Sequence, residues 1–544
     1  MKLFICQTNT IIGNLEYNKK KILDGYNEGV KQGAELVVFP ELALVGYPPL
    51  DLVEKKEFRD AVNKAAKEIA GETKSTGLIF GTITADDDNI GTDVFNSAVL
   101  CFDGKIKFVQ PKSLIPNYDV FDEMRYFDAA ENVNVFDFKG EKLGISVCED
   151  IWNDADYWHI RRYKFDPVEK QIEKGATLLI NISASPYSYG KREGRKQMLE
   201  TLTGNAKIPL AYVCCTGAQT ELIFDGASMC FNARGKLAAI GKSFNEDYFI
   251  FDTEIENSQI VDVEKSFEEE VYNALVYGLK DYCTKLGFKK VLVGLSGGID
   301  SALVTTIAVD ALGKENVHVV LMPSQYSSEG SVKDSEKLIE NLGISSSNIS
   351  IQPVVDVTIE QLEKVFDAEP ISITEENIQA RVRGLYLMAY SNQYGSMLLT
   401  TGNKSELAVG YCTLYGDMSG GLAVIADLYK TDVYKISNYI NRSGEVIPQV
   451  IIDKVPSAEL KHNQKDQDTL PEYDLLDDIL RMYLEQNKEI DEIIKIVGSP
   501  EVVTKTLRMV DRNEFKRKQA APALRVSKKA FGYGRRFPIV QGWR

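Results

Sequence analysis

The chain has 544 residues, a formal net charge of −16 and a hydrophobic fraction of 44%. That length exceeds what a single hydrophobic core usually organises, so two or more domains are expected. The acidic balance argues against a broad surface for nucleic acid or for an anionic membrane, because both need clustered positive charge.

The first half of the chain is rich in short strands. It starts with MKLFICQTNT, which lacks the basic and long apolar regions of a signal peptide, so we expect a cytoplasmic protein. Runs of β-branched and aromatic residues predict further strands, among them AELVVFPE, GLIFGTIT, NSAVLCF, KIKFVQPK, KLGISVCED and ATLLINISAS. Turn residues at Asp103-Gly104 and Arg234-Gly235 predict hairpins, and residues 14–33 predict an amphipathic helix. The mixture indicates a layered α/β domain with a mixed sheet.

Three chemically different side chains stand at the ends of three of these strands: Glu41 closes one, Lys112 follows another and Cys148 ends the third. Reactive groups gather at the carboxyl ends of strands in layered α/β folds, so we expect the three to share one pocket. Cys148 would attack an amide and form a thioester, and Glu41 would carry the proton. Lys112 would favour the thiolate and stabilise the oxyanion, and Glu123 would hold Lys112 in place. This amide hydrolysis needs no histidine, and the chain has only three.

The alternative is that Cys148 is an ordinary core residue. A lone cysteine at the end of an apolar strand is more often a small buried hydrophobe than a nucleophile. We interpret five other cysteines as core residues with no catalytic alternative: Cys6, Cys101, Cys214, Cys215 and Cys230.

Three longer stretches favour the catalytic interpretation. VVFPELALVGYPP, PKSLIPNYDVFDEMRYF and GISVCEDIW together resemble the Glu-Lys-Cys nitrilase superfamily, and most of all the glutaminase domain of glutamine-dependent NAD synthetases. The resemblance implies an αββα sandwich over residues 1–258, with Tyr118, Ser185 and Lys191 binding glutamine. Residues 153–175 are longer than we expect for the family, and His159 within them is expected at the surface.

The second half of the chain begins after an acidic, irregular stretch at residues 252–268. From residue 265 onward, predicted helices and strands alternate regularly, as in KKVLVGLS, SALVTTIAVDALG and HVVLMPS. Such alternation predicts a doubly wound parallel sheet over residues 265–544.

A glycine loop, GLSGGIDSALV, joins the first of these strands to a helix. Glycines at this point let an anion approach backbone N–H groups, and the helix start adds partial positive charge. The lysine of the common G-x-x-x-x-G-K-[ST] motif is absent, because no lysine follows until Lys314. Asp300 is the nearest carboxylate that would ligate Mg²⁺. The alternative is a glycine turn that only connects the strand to the helix.

The motif S-G-G-x-D-S resembles the pyrophosphate loop of the ATP pyrophosphatase family, which includes NAD synthetases. Residues 376–434, together with PSAEL, RNEFKRKQAAP and SKKAFGYGRRFPI, are similar to the NAD synthetases in particular. The resemblance implies that ATP and Mg²⁺ are used, with Asp300 and Glu406 as metal ligands. It implies deamido-NAD contacts at Asn377, Glu406 and Lys516. The ATP contacts that it implies are Gly294, Leu295, Ser296, Gly297, Gly298, Ile299, Asp300, Ser301, Thr401 and Lys430.

Together, the two resemblances imply one coupled ligase reaction, in which ammonia released from glutamine amidates the adenylated carboxylate of deamido-NAD. They also imply a homo-oligomer with paired synthetase domains. One alternative keeps both domains but amidates a different carboxylate or a nucleobase. Another combines a free-standing amidase with a nucleotide sensor. An oxidoreductase is disfavoured because the loop lacks the G-x-G-x-x-G spacing.

Overall fold

A computed structural model describes residues 1–85, 91–255, 259–366 and 372–543. The chain forms two compact units, Met1–Glu264 and Lys265–Arg544. Among the described residues, no helix is both long enough and apolar enough to cross a membrane.

The first unit alternates strands with four helices. Its strands are β1 Lys2–Gln7, β2 Leu36–Val38, β3 Gly77–Ala85, β4 Val94–Phe102, β5 Lys105–Pro111, β6 Val135–Phe138, β7 Glu141–Val147, β8 Leu178–Ser183, β9 Leu210–Cys214, β10 Thr216–Gln219, β11 Leu222–Asp225, β12 Met229–Phe231, β13 Leu237–Ile240, β14 Asp247–Asp252 and β15 Gln259–Ile260. Its helices are α1 Leu15–Lys31, α2 Lys56–Gly71, α3 Pro167–Glu173 and α4 Lys191–Ala206.

These elements form two mixed sheets covered by helices, the αββα sandwich that the sequence predicts. One sheet has the order β14-β1-β2-β3-β4-β5 and the other β15-β13-β12-β9-β8-β7-β6, while β10 and β11 form a separate hairpin. Apolar side chains of β1 and β3 pack against those of β7 and β8 between the sheets. Helices α1 and α2 cover the outer face of the first sheet, and α3 and α4 cover the second.

The second unit starts with helix α5. Its helices are α5 Phe267–Leu286, α6 Ile299–Leu312, α7 Glu329–Leu342, α8 Gln352–Glu363, α9 Ser372–Tyr394, α10 Lys404–Val409, α11 Lys430–Ile440, α12 Gln449–Asp453, α13 Tyr473–Leu484, α14 Ile490–Val497, α15 Pro500–Arg512 and α16 Glu514–Arg517. Its strands are β16 Val291–Gly294, β17 Val317–Leu321, β18 Ser345–Asn348, β19 Met397–Thr400 and β20 Leu422–Ala423.

The five strands form one parallel sheet in the order β18-β17-β16-β19-β20. This is the predicted doubly wound arrangement. The chain moves outward from β16 in one direction and then returns to add β19 on its other side. Ligands bind at the carboxyl ends of the strands where the order reverses, so the crevice between the ends of β16 and β19 is the natural binding position.

Candidate active sites

In the first unit, a tight turn presents Cys148. Strand β7 ends at Val147, one residue earlier than the end of the predicted strand, and Cys148 has a φ of 45° at the start of a short 3-10 turn. Few residues other than glycine adopt this left-handed conformation, and those that do are concentrated at functional sites. The strained backbone of this turn therefore positions the side chain of Cys148.

Lys112 lies between two carboxylates. Its Nζ is 2.8 Å from Oε1 of Glu41 and donates to both oxygens of Glu123 at 2.9 Å. All three side chains are buried. Glu41 also accepts from Nδ2 of Asn96 at 2.7 Å and from the N–H of Ala184 at 2.6 Å. The structure thus brings together Glu41, Lys112 and Glu123, as the sequence predicts, and adds Asn96.

The charges of this cluster act directly on the thiol of Cys148. Burial raises the pKa of Cys148 well above its usual value, the charge of Glu41 raises it further, and Lys112 lowers it. Burial also lowers the pKa of Lys112, but Glu123 and Glu41 outweigh it and keep the amine charged. Lys112 therefore favours the thiolate as expected, but not enough to offset burial and Glu41. Cys148 is therefore a thiol at neutral pH, and it would need a base to act as a nucleophile.

The sequence prediction missed Asp150, which joins the turn at Cys148 to the segment after Lys112. Its Oδ1 accepts from the N–H groups of Ser113 and Leu114 at 2.9 and 2.8 Å, and its Oδ2 accepts from the N–H of Val147 at 3.0 Å. Asp150 is buried. The clue in the sequence was the second acid of "CED", two residues after Cys148.

Of the three residues predicted to bind glutamine, Tyr118 contacts Glu149, the residue after Cys148. The hydroxyl of Tyr118 donates to Glu149 at 2.8 Å, and that of Tyr163 donates to it at 3.0 Å. Ser185 is buried. Nζ of Lys191 donates to the carbonyl of Pro186 at 3.0 Å.

Residues 153–175 contribute to the same region. The guanidinium of Arg162 lies 3.7 Å from the centre of the Tyr118 ring, and Tyr163 belongs to this segment too. Asn153 holds the segment by donating to the carbonyls of Tyr163 and Phe165 at 2.9 and 2.8 Å. His159 is exposed, as expected. The unusual segment thus contacts Tyr118, one of the residues predicted to bind glutamine.

In the second unit, the glycine loop connects β16 to α6 as predicted. Gly297 has a φ of 78°, and a Cβ there would lie 2.5 Å from the carbonyl oxygen of Ser331, so only glycine fits. Oγ of Ser296 and Oγ of Ser301 are 3.1 Å apart, and Gly298 precedes the first turn of α6. The loop leaves hydroxyl and backbone N–H donors at the carboxyl end of β16.

Lys430 joins the two predicted metal ligands. Its Nζ forms ion pairs with Asp300 and, at 3.5 Å, with Oε1 of Glu406. Asn403 donates to Asp300 at 3.0 Å and caps α10, the helix that carries Glu406. Burial raises the pKa of Glu406 to about 8, with Lys430 lowering it and Asp300 raising it. Two carboxylates converging on one cation in this way also fit Mg²⁺, which uses one or two carboxylates together with substrate phosphates.

A cavity of about 290 Å³ lies at the crevice between β16 and β19. All of the predicted ATP and metal residues except Gly297 line it, namely Gly294, Leu295, Ser296, Gly298, Ile299, Asp300, Ser301, Thr401, Glu406 and Lys430.

Asn377 and Lys516, predicted to contact deamido-NAD, hold the neighbouring segment 410–413. Asn377 accepts from the hydroxyl of Thr413 at 2.8 Å, and Lys516 donates to the carbonyls of Gly410 and Cys412 at 2.7 and 2.8 Å. Tyr411 and Thr413 of this segment line the cavity.

Comparisons with known proteins cover both units. Residues 2–261 match the carbon-nitrogen hydrolase family, and residues 271–520 match the NAD synthase family. The glutamine-dependent NAD(+) synthetase of Synechocystis sp. is 43% identical over 99% of this chain and 98% of its own. The glutamine-dependent NAD(+) synthetase of Thermotoga maritima is 40% identical over 100% of this chain and 99% of its own. The structure of the glutamine-dependent NAD+ synthetase from Acinetobacter baumannii, in complex with ADP, is 38% identical with a TM-score of 0.78, over 100% of this chain and 99% of that chain.

Proposed function

We propose the activity of this chain from the family to which it belongs, the glutamine-dependent NAD(+) synthetases. It hydrolyses glutamine to glutamate and ammonia, and it uses the ammonia to amidate deamido-NAD at the expense of ATP, giving NAD, AMP and pyrophosphate. The observation that carries this proposal is the presence, in one chain, of the buried cluster around Lys112 and the lysine-free phosphate loop beside Asp300 and Glu406.

The glutaminase reaction takes place around Cys148. Glu41 accepts the thiol proton as the sulfur attacks the carboxamide carbon of glutamine, and Lys112 stabilises the oxyanion. The intermediate collapses to a thioester as Glu41 passes the proton to the departing ammonia. Glu41 then removes a proton from the water that hydrolyses the thioester and returns it to the sulfur. Glu123, which is bonded to Lys112 at 2.9 Å, keeps the amine in position throughout.

The synthetase reaction takes place in the cavity of the second unit. A carboxylate oxygen of deamido-NAD attacks the α-phosphorus of ATP, and pyrophosphate leaves from the loop around Gly297. Ammonia then attacks the acyl carbon and AMP leaves. Lys430 offers charge beside the loop, while Asp300 and Glu406 would hold Mg²⁺. Bound Mg²⁺ would neutralise part of the phosphate charge.

Each of the two units carries one of the two proposed reactions. We assign the glutaminase to residues 1–258 and the synthetase to residues 265–544, and we propose that ammonia passes between them without release. Assembly into a homo-oligomer through paired synthetase domains stays a prediction, as does a cytoplasmic location, where ATP and glutamine are both available.

NAD formation by the purified protein tests the proposal. The protein is given deamido-NAD, ATP and Mg²⁺ with either glutamine or ammonium, and NAD is measured by chromatography. We expect both nitrogen sources to support NAD formation and Cys148→Ala to abolish only the glutamine route. Cys283→Ala, which removes a buried thiol from α5, is the matched control. Glutamine hydrolysis without NAD formation from either source would mean that the acceptor is a different molecule.

A further inference from the structure

Arg383 of helix α9 faces the cavity of the second unit. It lines this cavity together with Ser296 and Asp300. Its Nε donates to the carbonyl of Met322 at 3.2 Å. Among the residues that the structure describes, this is the only hydrogen bond of the guanidinium. The two terminal nitrogens of Arg383 therefore remain available to a ligand.

Arg383 also differs in charge balance from the other basic residues of the cavity. Within the described chain these are Lys430 and Lys454. Lys430 is paired with two carboxylates, and Lys454 is 3.1 Å from Oε1 of Glu459. Arg383 forms no ion pair with any described residue.

The environment of Arg383 is unfavourable for its charge. Burial lowers the pKa of Arg383 to about 10, and the charge of Glu459 opposes this shift. The side chain is still charged at neutral pH. Partial burial of a cation that has no ion-pair partner is costly, so a bound anion would relieve this cost.

The strand register places Arg383 beside the phosphate loop. Gly294 of β16 pairs with Val320 of β17, and the N–H of Leu295 donates to the carbonyl of Val320 at 3.0 Å. Met322 follows the end of β17, Ser296 lies two residues beyond the end of β16, and both line the cavity. Because Arg383 donates to the carbonyl of Met322, its guanidinium lies at the carboxyl end of the strand that neighbours the loop.

Helix α9 packs closely against this end of the strand. A Cβ at Gly294 would lie 3.1 Å from Cδ1 of Leu387 and 3.3 Å from Cε of Met322. Leu387 follows Arg383 by four residues and so lies on the same face of α9. The packing of that face directs the arginine toward the strand end.

We propose that Arg383 binds a phosphate group of ATP and supplies the cation that the lysine-free loop lacks. The inference rests on the proposed function, because that function makes ATP the substrate. A guanidinium suits this role because its N–H groups match phosphate oxygens in a bidentate geometry. Lys430 is a weaker candidate for the same role because two carboxylates already balance its charge.

Binding of Mg²⁺-ATP to the full chain tests the inference. Calorimetry on the wild type, Arg383→Gln and Arg383→Lys gives the dissociation constants, and ammonium-dependent synthesis gives KM for each substrate. A lost charge-assisted contact predicts a Kd and a KM for ATP at least ~10-fold higher for the Gln variant. The Lys variant should be less impaired. KM for deamido-NAD should stay within about twofold, since no contact with it is lost. Arg508→Gln, at an exposed position of α15, is the matched control and should bind ATP like the wild type.

The other outcomes are distinguishable. Unchanged ATP binding in Arg383→Gln overturns the inference, and a higher KM for deamido-NAD alone assigns Arg383 to that substrate and also overturns it. Glutaminase activity and the thermal midpoint report whether each variant is folded. If the Gln variant does not fold, the Lys variant decides: its Kd for ATP must rise, and an unchanged value overturns the inference. A wild type that neither binds ATP nor forms NAD contradicts the proposed function instead.

Discussion

Lys112 forms ion pairs with two glutamates, and the thiol of Cys148 is buried beside this cluster. Burial, and then the charge of Glu41, keep the pKa of Cys148 high although the Lys112 amine lowers it. A preformed thiolate would be exposed to oxidation and alkylation between turnovers. In the proposed reaction the thiol loses its proton to Glu41 only during attack, which would avoid this reactivity but make catalysis depend on the position of the base.

The buried carboxyl group of Asp150 makes the free energy of unfolding depend on pH. Burial raises the pKa of Asp150 to about 7, while the N–H groups of Val147 and Leu114 lower it. An aspartate in the unfolded chain titrates near ~3.9. Between these values the folded protein holds a proton that the unfolded chain has lost. The contribution of Asp150 to the free energy of unfolding is therefore fully present below about pH 4 and is lost as the pH rises through 7.

We therefore expect Asp150→Asn to gain stability relative to the wild type as the pH rises from 5 to 8, by at most a few kcal/mol. Calorimetric midpoints of the two proteins over this range measure the difference. Asp137→Asn, at an exposed position of β6, is the control. A difference between Asp150→Asn and the wild type that stays constant with pH would contradict a raised pKa for Asp150.

At the scale of elements, the strand ends that carry the candidate catalytic residues could be predicted, but the side chains that hydrogen-bond to these ends could not. Alternating apolar runs located β2, β5 and β7, and therefore placed Glu41, Lys112 and Cys148 together. Asn96 and Asp150 were missed because their roles depend on tertiary contacts. Asn96 of β4, for example, donates to Glu41, which follows β2 on the other side of β3. Local periodicity carries no information about such contacts.

Strand β18 was missed for a different reason. Its sequence, SSSN, consists of residues that are not favoured in strands, and it forms the edge of the sheet beside β17. Its serines are bonded to His318 of β17 at 2.8 and 3.0 Å. Tertiary pairing thus overrides a weak local preference.

Residues 153–175 provide a second prediction, because the guanidinium of Arg162 lies 3.7 Å from the centre of the Tyr118 ring. Arg162→Ala removes this contact and leaves the tyrosine less well positioned for glutamine. An exposed cation–π contact predicts a ~2–5-fold increase in KM for glutamine. Steady-state glutaminase assays measure it, and ammonium-dependent NAD formation should not change.

Lys164→Ala removes an exposed charge from the same segment without removing a ring contact, so it should behave like the wild type. Equal changes in the two variants would mean that the segment acts only through its overall charge. An unchanged KM in Arg162→Ala would separate the segment from glutamine binding.

At the scale of the whole molecule, two reactions with different requirements share one chain. The first produces ammonia, which is nearly all ammonium in water at neutral pH and is then no nucleophile. The second forms an acyl-adenylate that water would hydrolyse. Passing ammonia from one site to the other within the protein protects both reactants from solvent.

An ammonia-scavenging system tests this transfer. Glutamate dehydrogenase with 2-oxoglutarate and NADPH removes ammonia from solution while NAD formation is followed by chromatography. We expect glutamine-dependent synthesis by the wild type to continue at nearly its full rate, because its ammonia does not reach the solvent. Synthesis by Cys148→Ala with added ammonium should stop once the scavenger has consumed it, which shows that the scavenger is effective. Equal inhibition of both reactions would mean that ammonia equilibrates with the solvent, and that the two sites share a chain without sharing a protected intermediate.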